Sequence, residues 1–160
     1  MCSFKKILLL IAIFNYSFTV NSFSKKDFYR ALSGNSVEKI NQEIGILENG
    51  NPVQSADAYK GALYMKKASF PATLNEKLSL FKNGKALLEN EIAKQTGNIE
   101  FRFLRLIIQE NAPGFLAYNN NIQEDKNSII NGFSKLDIEL KNIILEYSKQ
   151  SKILQTSDLK

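Results

Sequence analysis

The chain has 160 residues with 44% hydrophobic and 23% charged side chains. These are the proportions of one globular domain rather than of a disordered or fibrous chain. It carries a formal net charge of +5, a single Cys and no His or Trp. This excludes a disulfide-stapled scaffold and a Cys/His metal site, and it leaves the commonest catalytic bases and nucleophiles missing.

The first element is an export signal. Lys5 and Lys6 precede an apolar run from Ile7 to Phe14, and a more polar stretch, Asn15 to Ser24, follows. A basic head, an apolar centre and a polar end with small residues make a secretory signal peptide. Val20 and Ser22 suit the −3 and −1 positions of a cut after Ser22, with a cut after Ser24 as the alternative. The run Ile7 to Val20 is too short for a bilayer core, which needs about 20 apolar residues. No stable membrane span is therefore expected once the signal is removed. Cys2 lies before the apolar run, where a lipoprotein cysteine would follow it. Without Lys5 and Lys6 the charge falls to +3, from lysines spread along the chain. Diffuse charge of that size suits solubility and not nucleic acid.

From Ser24 onward one pattern repeats: a cap residue, an acid soon after it, then apolar residues at helical spacing. Ser24 with Asp27 opens a short helix that Gly34 closes. Asn35 with Glu38 opens a second, with the stripe Val37, Ile40, Ile44 and Leu47, which Asn49-Gly50-Asn51-Pro52 stops. Ser55 with Asp57 opens a third, ending towards Pro71. Thr73 with Glu76 has the capping-box spacing and begins the longest helix. Gly84 in its interior marks a bend or a close helix contact and costs about 1 kcal/mol relative to Ala. Asn98 caps a fifth helix, Ile99 to Glu110, apolar around most of its circumference and so expected at the centre. Asn111 to Gly114 breaks it. Asn121 with Glu124 opens a sixth helix, and Ser134 with Asp137 a seventh. The polar tail 151–160 is expected to be loose. No segment alternates with period two, so the expected fold is all-α. About seven helices pack as antiparallel hairpins, as an α-α superhelix or an irregular bundle, in a single domain over 23–150.

Two resemblances follow from particular residues. Phe101, Leu104 and Ile108 in the fifth helix, with Gly61 and Tyr64 in the third, resemble the apolar and Gly-x-x-Tyr positions of the tetratricopeptide repeat. The match departs at Arg105, where the motif has a small residue, and at the spacing between the two segments. The resemblance implies helical hairpins with a peptide-binding groove. The segment Phe101 to Pro113, with Leu116 to Asn119 and Asp125, is also similar to a group of uncharacterised exported helical proteins of Bacteroidota, which implies no particular activity.

The candidate partner-binding residues are Arg102, Arg105, Glu110, Tyr118 and Asn119. Arg102 and Arg105 share one edge of the fifth helix, and a guanidinium fork suits a carboxylate or phosphate. The structural alternative pairs them with Glu100, Glu110 or Asp125. Glu110, Tyr118 and Asn119 belong to the irregular polar stretch beside the most buried helix, and loops on rigid supports often carry function. Glu124 and Asp125 are adjacent on a helix and expected to point apart. No Gly-rich phosphate loop or metal-ligand cluster is present, so no cofactor and no metal are expected. The expectation is an exported, periplasmic, non-catalytic module that binds a protein or peptide of the cell envelope or scaffolds an assembly there. The alternative is a small envelope hydrolase using carboxylates or Ser/Lys.

Overall fold

The computed structural model of the chain describes residues 22–159; the expected signal peptide lies outside the described residues, apart from Ser22 at its end. Seven α-helices and no strand are present among them: α1 Lys25–Ser33, α2 Val37–Asn49, α3 Ala56–Lys67, α4 Leu74–Lys94, α5 Ile99–Asn111, α6 Ile122–Gly132 and α7 Ile138–Ser148. Short 3-10 turns lie at Gly114–Leu116, Phe133–Lys135 and Thr156–Asp158. The all-α reading holds.

Local capping chemistry sets most of the helix starts. The Ser24, Thr73 and Asn98 side chains accept from the backbone N–H three residues on, as their spacing predicts. Four starts differ. Asn121 precedes α6 but makes no cap bond, its Nδ2 donating to Glu124 at 3.1 Å instead. Ser36, not Asn35, caps α2, accepting from the Lys39 N–H. Asp137 is itself the cap of α7, accepting from Leu140, because a 3-10 turn over Phe133–Lys135 takes up Ser134 first. Ser55 precedes α3 in the left-handed region, φ 54° and ψ 37°, and makes no cap bond. An N-cap side chain reaches the first turn from extended backbone. From this geometry the Ser55 hydroxyl instead accepts from Gln95 Nε2 at 2.7 Å, tying the start of α3 to the end of α4.

The largest helix interface joins α3 and α4. A Cβ on Gly84 would lie 2.5 Å from the Gly61 carbonyl oxygen and 2.8 Å from Met65 N, and one on Gly61 would lie 2.8 Å from Leu88 N. Residue 61 therefore meets 88 where 65 meets 84, which is antiparallel packing with the backbones in direct contact. The next largest interface joins α5 and α6. It is antiparallel too: Ile99 lies against Gly132, and Arg105 against Asp125.

Helix α5 occupies the centre. Phe103, Leu104 and Leu106 are wholly buried there, packed with Phe28, Leu63, Leu88, Ile129 and Ile144. Tyr29 and Tyr147 bring α1 and α7 against Phe103, at ring centroids 5.6 and 5.3 Å. The expectation of a loose tail is corrected. Ser151, Leu154 and Leu159 are buried, and Leu154 belongs to the core. Glu110 receives the Ser151 hydroxyl at 2.7 Å and the Lys152 N–H at 2.5 Å. Asp158 pairs with Lys126 at 2.8 Å.

Candidate functional site

Arg102 and Arg105 lie three residues apart on α5 and both face α6. Arg105 grips Asp125 with two parallel bonds, Nε to Oδ2 and Nη2 to Oδ1, each 2.7 Å. Its Nη1 donates to Glu89 of α4 at 2.8 Å, and the other Glu89 oxygen accepts from the Tyr118 hydroxyl at 2.6 Å. Asp125 is 0% exposed and Arg105 3%. Burial works against the arginine's charge, but the bonds to Asp125 and the field of Glu89 outweigh it and hold the guanidinium above its ordinary value. The Tyr118 hydroxyl is pushed up by burial and by its bond to Glu89. The Tyr118 ring meets the edge of Phe81 at 5.5 Å, with Lys85 Nζ 5.0 Å from its centroid. Arg102 donates to Glu124 at 2.9 Å, to Asp125 at 3.2 Å and to the Thr96 carbonyl at 3.2 Å. Glu124 and Asp125, expected to point apart, both reach Arg102.

The five candidate residues therefore do not form one open site. Arg102, Arg105 and Tyr118 belong to a network that locks α4, α5 and α6 together, with the fork of Arg105 filled by the protein's own acids. This is the structural alternative, with Asp125 as the partner. Glu110 belongs to a second network, holding Tyr147, Ser151 and the Lys152 N–H. Asn119 is exposed, and its carbonyl accepts from the Ile122 N–H at the start of α6. Glu89 was missed in the sequence. Its only sign there is an acid between Leu88 and Ile92, on the edge of an apolar stripe.

The open concavities lie elsewhere. A cleft of about 360 Å³ sits between the end of α3, the start of α4 and the turn after α5. Its lining is mostly apolar, including Leu78, Phe81, Ile108 and Leu116, with Leu74 and Phe115 59% and 73% exposed. Lys66 and Lys77 also line it, and no acid does. Burial alone lowers the Lys66 ammonium from its ordinary value, with no carboxylate raising it. A groove of about 530 Å³ between α1, α5 and α7 has Phe103 and Ile107 in its lining, but its charges are mixed, Lys26, Arg30 and Lys66 with Glu110 and Glu146. A third cleft, about 350 Å³, separates α1 from α2. Sequence reading missed Leu74 and Phe115 as surface residues, because an apolar residue at a helix start or in a turn looks like core until packing is known.

Among the described residues, no group of three His, Cys, Asp or Glu side chains could hold a metal ion, and no helix is long and apolar enough to cross a membrane. No protein-family profile matches the chain, and no curated protein or solved structure is similar to it.

Proposed function

We propose that the chain is an exported, non-catalytic helical module that binds an apolar, acid-bearing segment of a partner protein in the cleft at the α3–α4 turn. The observation that carries this reading is the cleft itself: apolar walls, Leu74 and Phe115 left in solvent, two lysines and no acid. Large apolar side chains left exposed beside a pocket mark a binding surface more often than an accident of packing. The apolar surface continues past the mouth on Leu74 and Phe115, which suits a segment laid across the cleft better than a small molecule within it. The half-buried Lys66, whose ammonium burial lowers and no carboxylate raises, sets the sign of the partner's charge. The basic and apolar N-terminus supports export to the periplasm.

The test is a pull-down from envelope extract with the processed chain, beside a Leu74→Asp/Phe115→Asp variant and a Lys66→Gln/Lys77→Gln variant. A photoreactive benzoylphenylalanine at position 115 maps the contact. The expected result is one stoichiometric partner, lost in both variants at unchanged melting temperature. Its cross-linked segment should be apolar and carry Asp or Glu. Capture of the same partner by both variants, or a cross-link to a basic segment or to lipid alone, overturns the reading.

A further inference from the structure

The cleft between α1 and α2 holds a buried carboxylate with one oxygen left unpartnered. Glu43 of α2 lines it and is only 5% exposed, yet its Oε2 has no hydrogen-bond partner among the described residues. A buried carboxylate oxygen without a donor is costly. The charged groups around it are accounted for on the α1 side, where Asp27 and Arg30 pair with each other at 2.6 Å. From α2, Lys39 is the one further charged side chain in the lining, beside Gln42 and Ile46. Burial, then the charge of Asp27, pushes the Glu43 carboxyl above its ordinary value.

Two further residues lining this cleft are Ser22 and Ser24, which flank Phe23. Phe23 is anchored: its ring packs against Tyr59 at 5.0 Å and Phe28 at 5.9 Å. Ser24 is the cap of α1, accepting from the Asp27 N–H. A cut after Ser24 would remove both the aromatic anchor and the cap. A cut after Ser22, which is exposed, leaves every one of these contacts in place.

We propose that Glu43 is the receptor for the α-ammonium group of Phe23, created when an endopeptidase of the export apparatus hydrolyses the Ser22–Phe23 bond. In that step water adds across the amide. The C–N bond breaks, the water oxygen goes to the Ser22 carboxylate, and the nitrogen leaves as the Phe23 amine, which is protonated at neutral pH. The Phe23 ring fixes the new terminus at the edge of the cleft, and a compact cation with three donors satisfies the orphan carboxylate. Processing thus completes the fold, and the precursor, lacking the pair, is the less stable form. The inference rests on the export reading.

Three chains test it: the full 160-residue chain, a chain beginning at Phe23, and that same chain N-acetylated, each with and without Glu43→Gln. The chain beginning at Phe23 keeps every core residue among those described. Glu43→Gln should lower the melting temperature of the free-amino chain by about 5 °C. It should leave the acetylated and full-length chains unchanged or more stable. An equal effect in all three overturns the proposal. Intact mass of the protein isolated from the envelope should show a start at Phe23. A start at Lys25 overturns the proposal and leaves export standing, whereas a start at Met1 overturns both.

Discussion

Asp125 is the buried acid at the centre of the network that joins α4, α5 and α6. It is wholly buried, takes two bonds from Arg105, and takes a third from Arg102 at 3.2 Å. A buried pair of this kind contributes little net stability over an apolar pair of equal volume, because desolvation offsets the attraction. Removing one member is different, because the other charge is then stranded. Asp125→Asn should therefore lower unfolding stability by about 3 kcal/mol or more, whereas Arg105→Met with Asp125→Leu should recover most of that loss. Urea unfolding midpoints measure both. The pairing of these arginines with an internal acid was legible in the sequence as one of two readings. The choice between them was not, because nothing in the local text says that α6 returns antiparallel and delivers Asp125 to α5 from a position 20 residues away. Glu89 arrives from α4 on the same terms.

At the scale of elements, the sequence was most readable where chemistry is local. Caps at Ser24, Thr73 and Asn98 act within one turn, and so does the apolar period of α5. The displaced start of α7 and the left-handed Ser55 depend on neighbours, a 3-10 turn in one case and Gln95 of another helix in the other. Gly84 was legible as the mark of a bend or a close helix contact, and the structure shows the contact, backbone against backbone with Gly61. Glycine-to-alanine changes in helices ordinarily stabilise by up to about 1 kcal/mol. Gly45 of α2 has nothing within 4 Å of an added Cβ, and Gly45→Ala should show this gain. Gly84→Ala should do the reverse and lose about 2–3 kcal/mol, since its Cβ would press on backbone that cannot step aside. Thermal unfolding of the pair compares the two directly. Equal effects of the two changes would mean that α3 and α4 are not in contact here.

Over the whole molecule, the C-terminal segment closes the structure. Ser148 Oγ meets Thr156 Oγ1 at 2.8 Å, and Gln155 and Asp158 cap the last 3-10 turn reciprocally. Leu154 enters the core as a wholly buried side chain. Leu154→Ala should lower stability by about 3 kcal/mol, the cost of a core cavity, where a loose tail would show no change. Denaturant unfolding of the full-length chain decides between these. The tail read as polar because Ile153, Leu154 and Leu159 follow no helical period. Its anchor, Glu110, stands 41 residues upstream of Ser151.

The binding surface belongs to this scale as well. Leu74 and Phe115 come from different elements and share a cleft only because α3, α4 and the turn after α5 end at the same place. The residues that looked functional in the sequence, Arg102, Arg105, Glu110 and Tyr118, are the ones the fold turns inward and pairs with its own groups, with Arg102 Nε alone of their polar atoms buried without a partner among the described residues. By itself the sequence determined the helical class, the number of helices, most of their starts and the central place of α5, since period and capping act over a few residues. Only the tertiary structure decided which polar groups are partnered and which apolar ones are left in solvent, because both depend on residues far apart in the chain meeting in space.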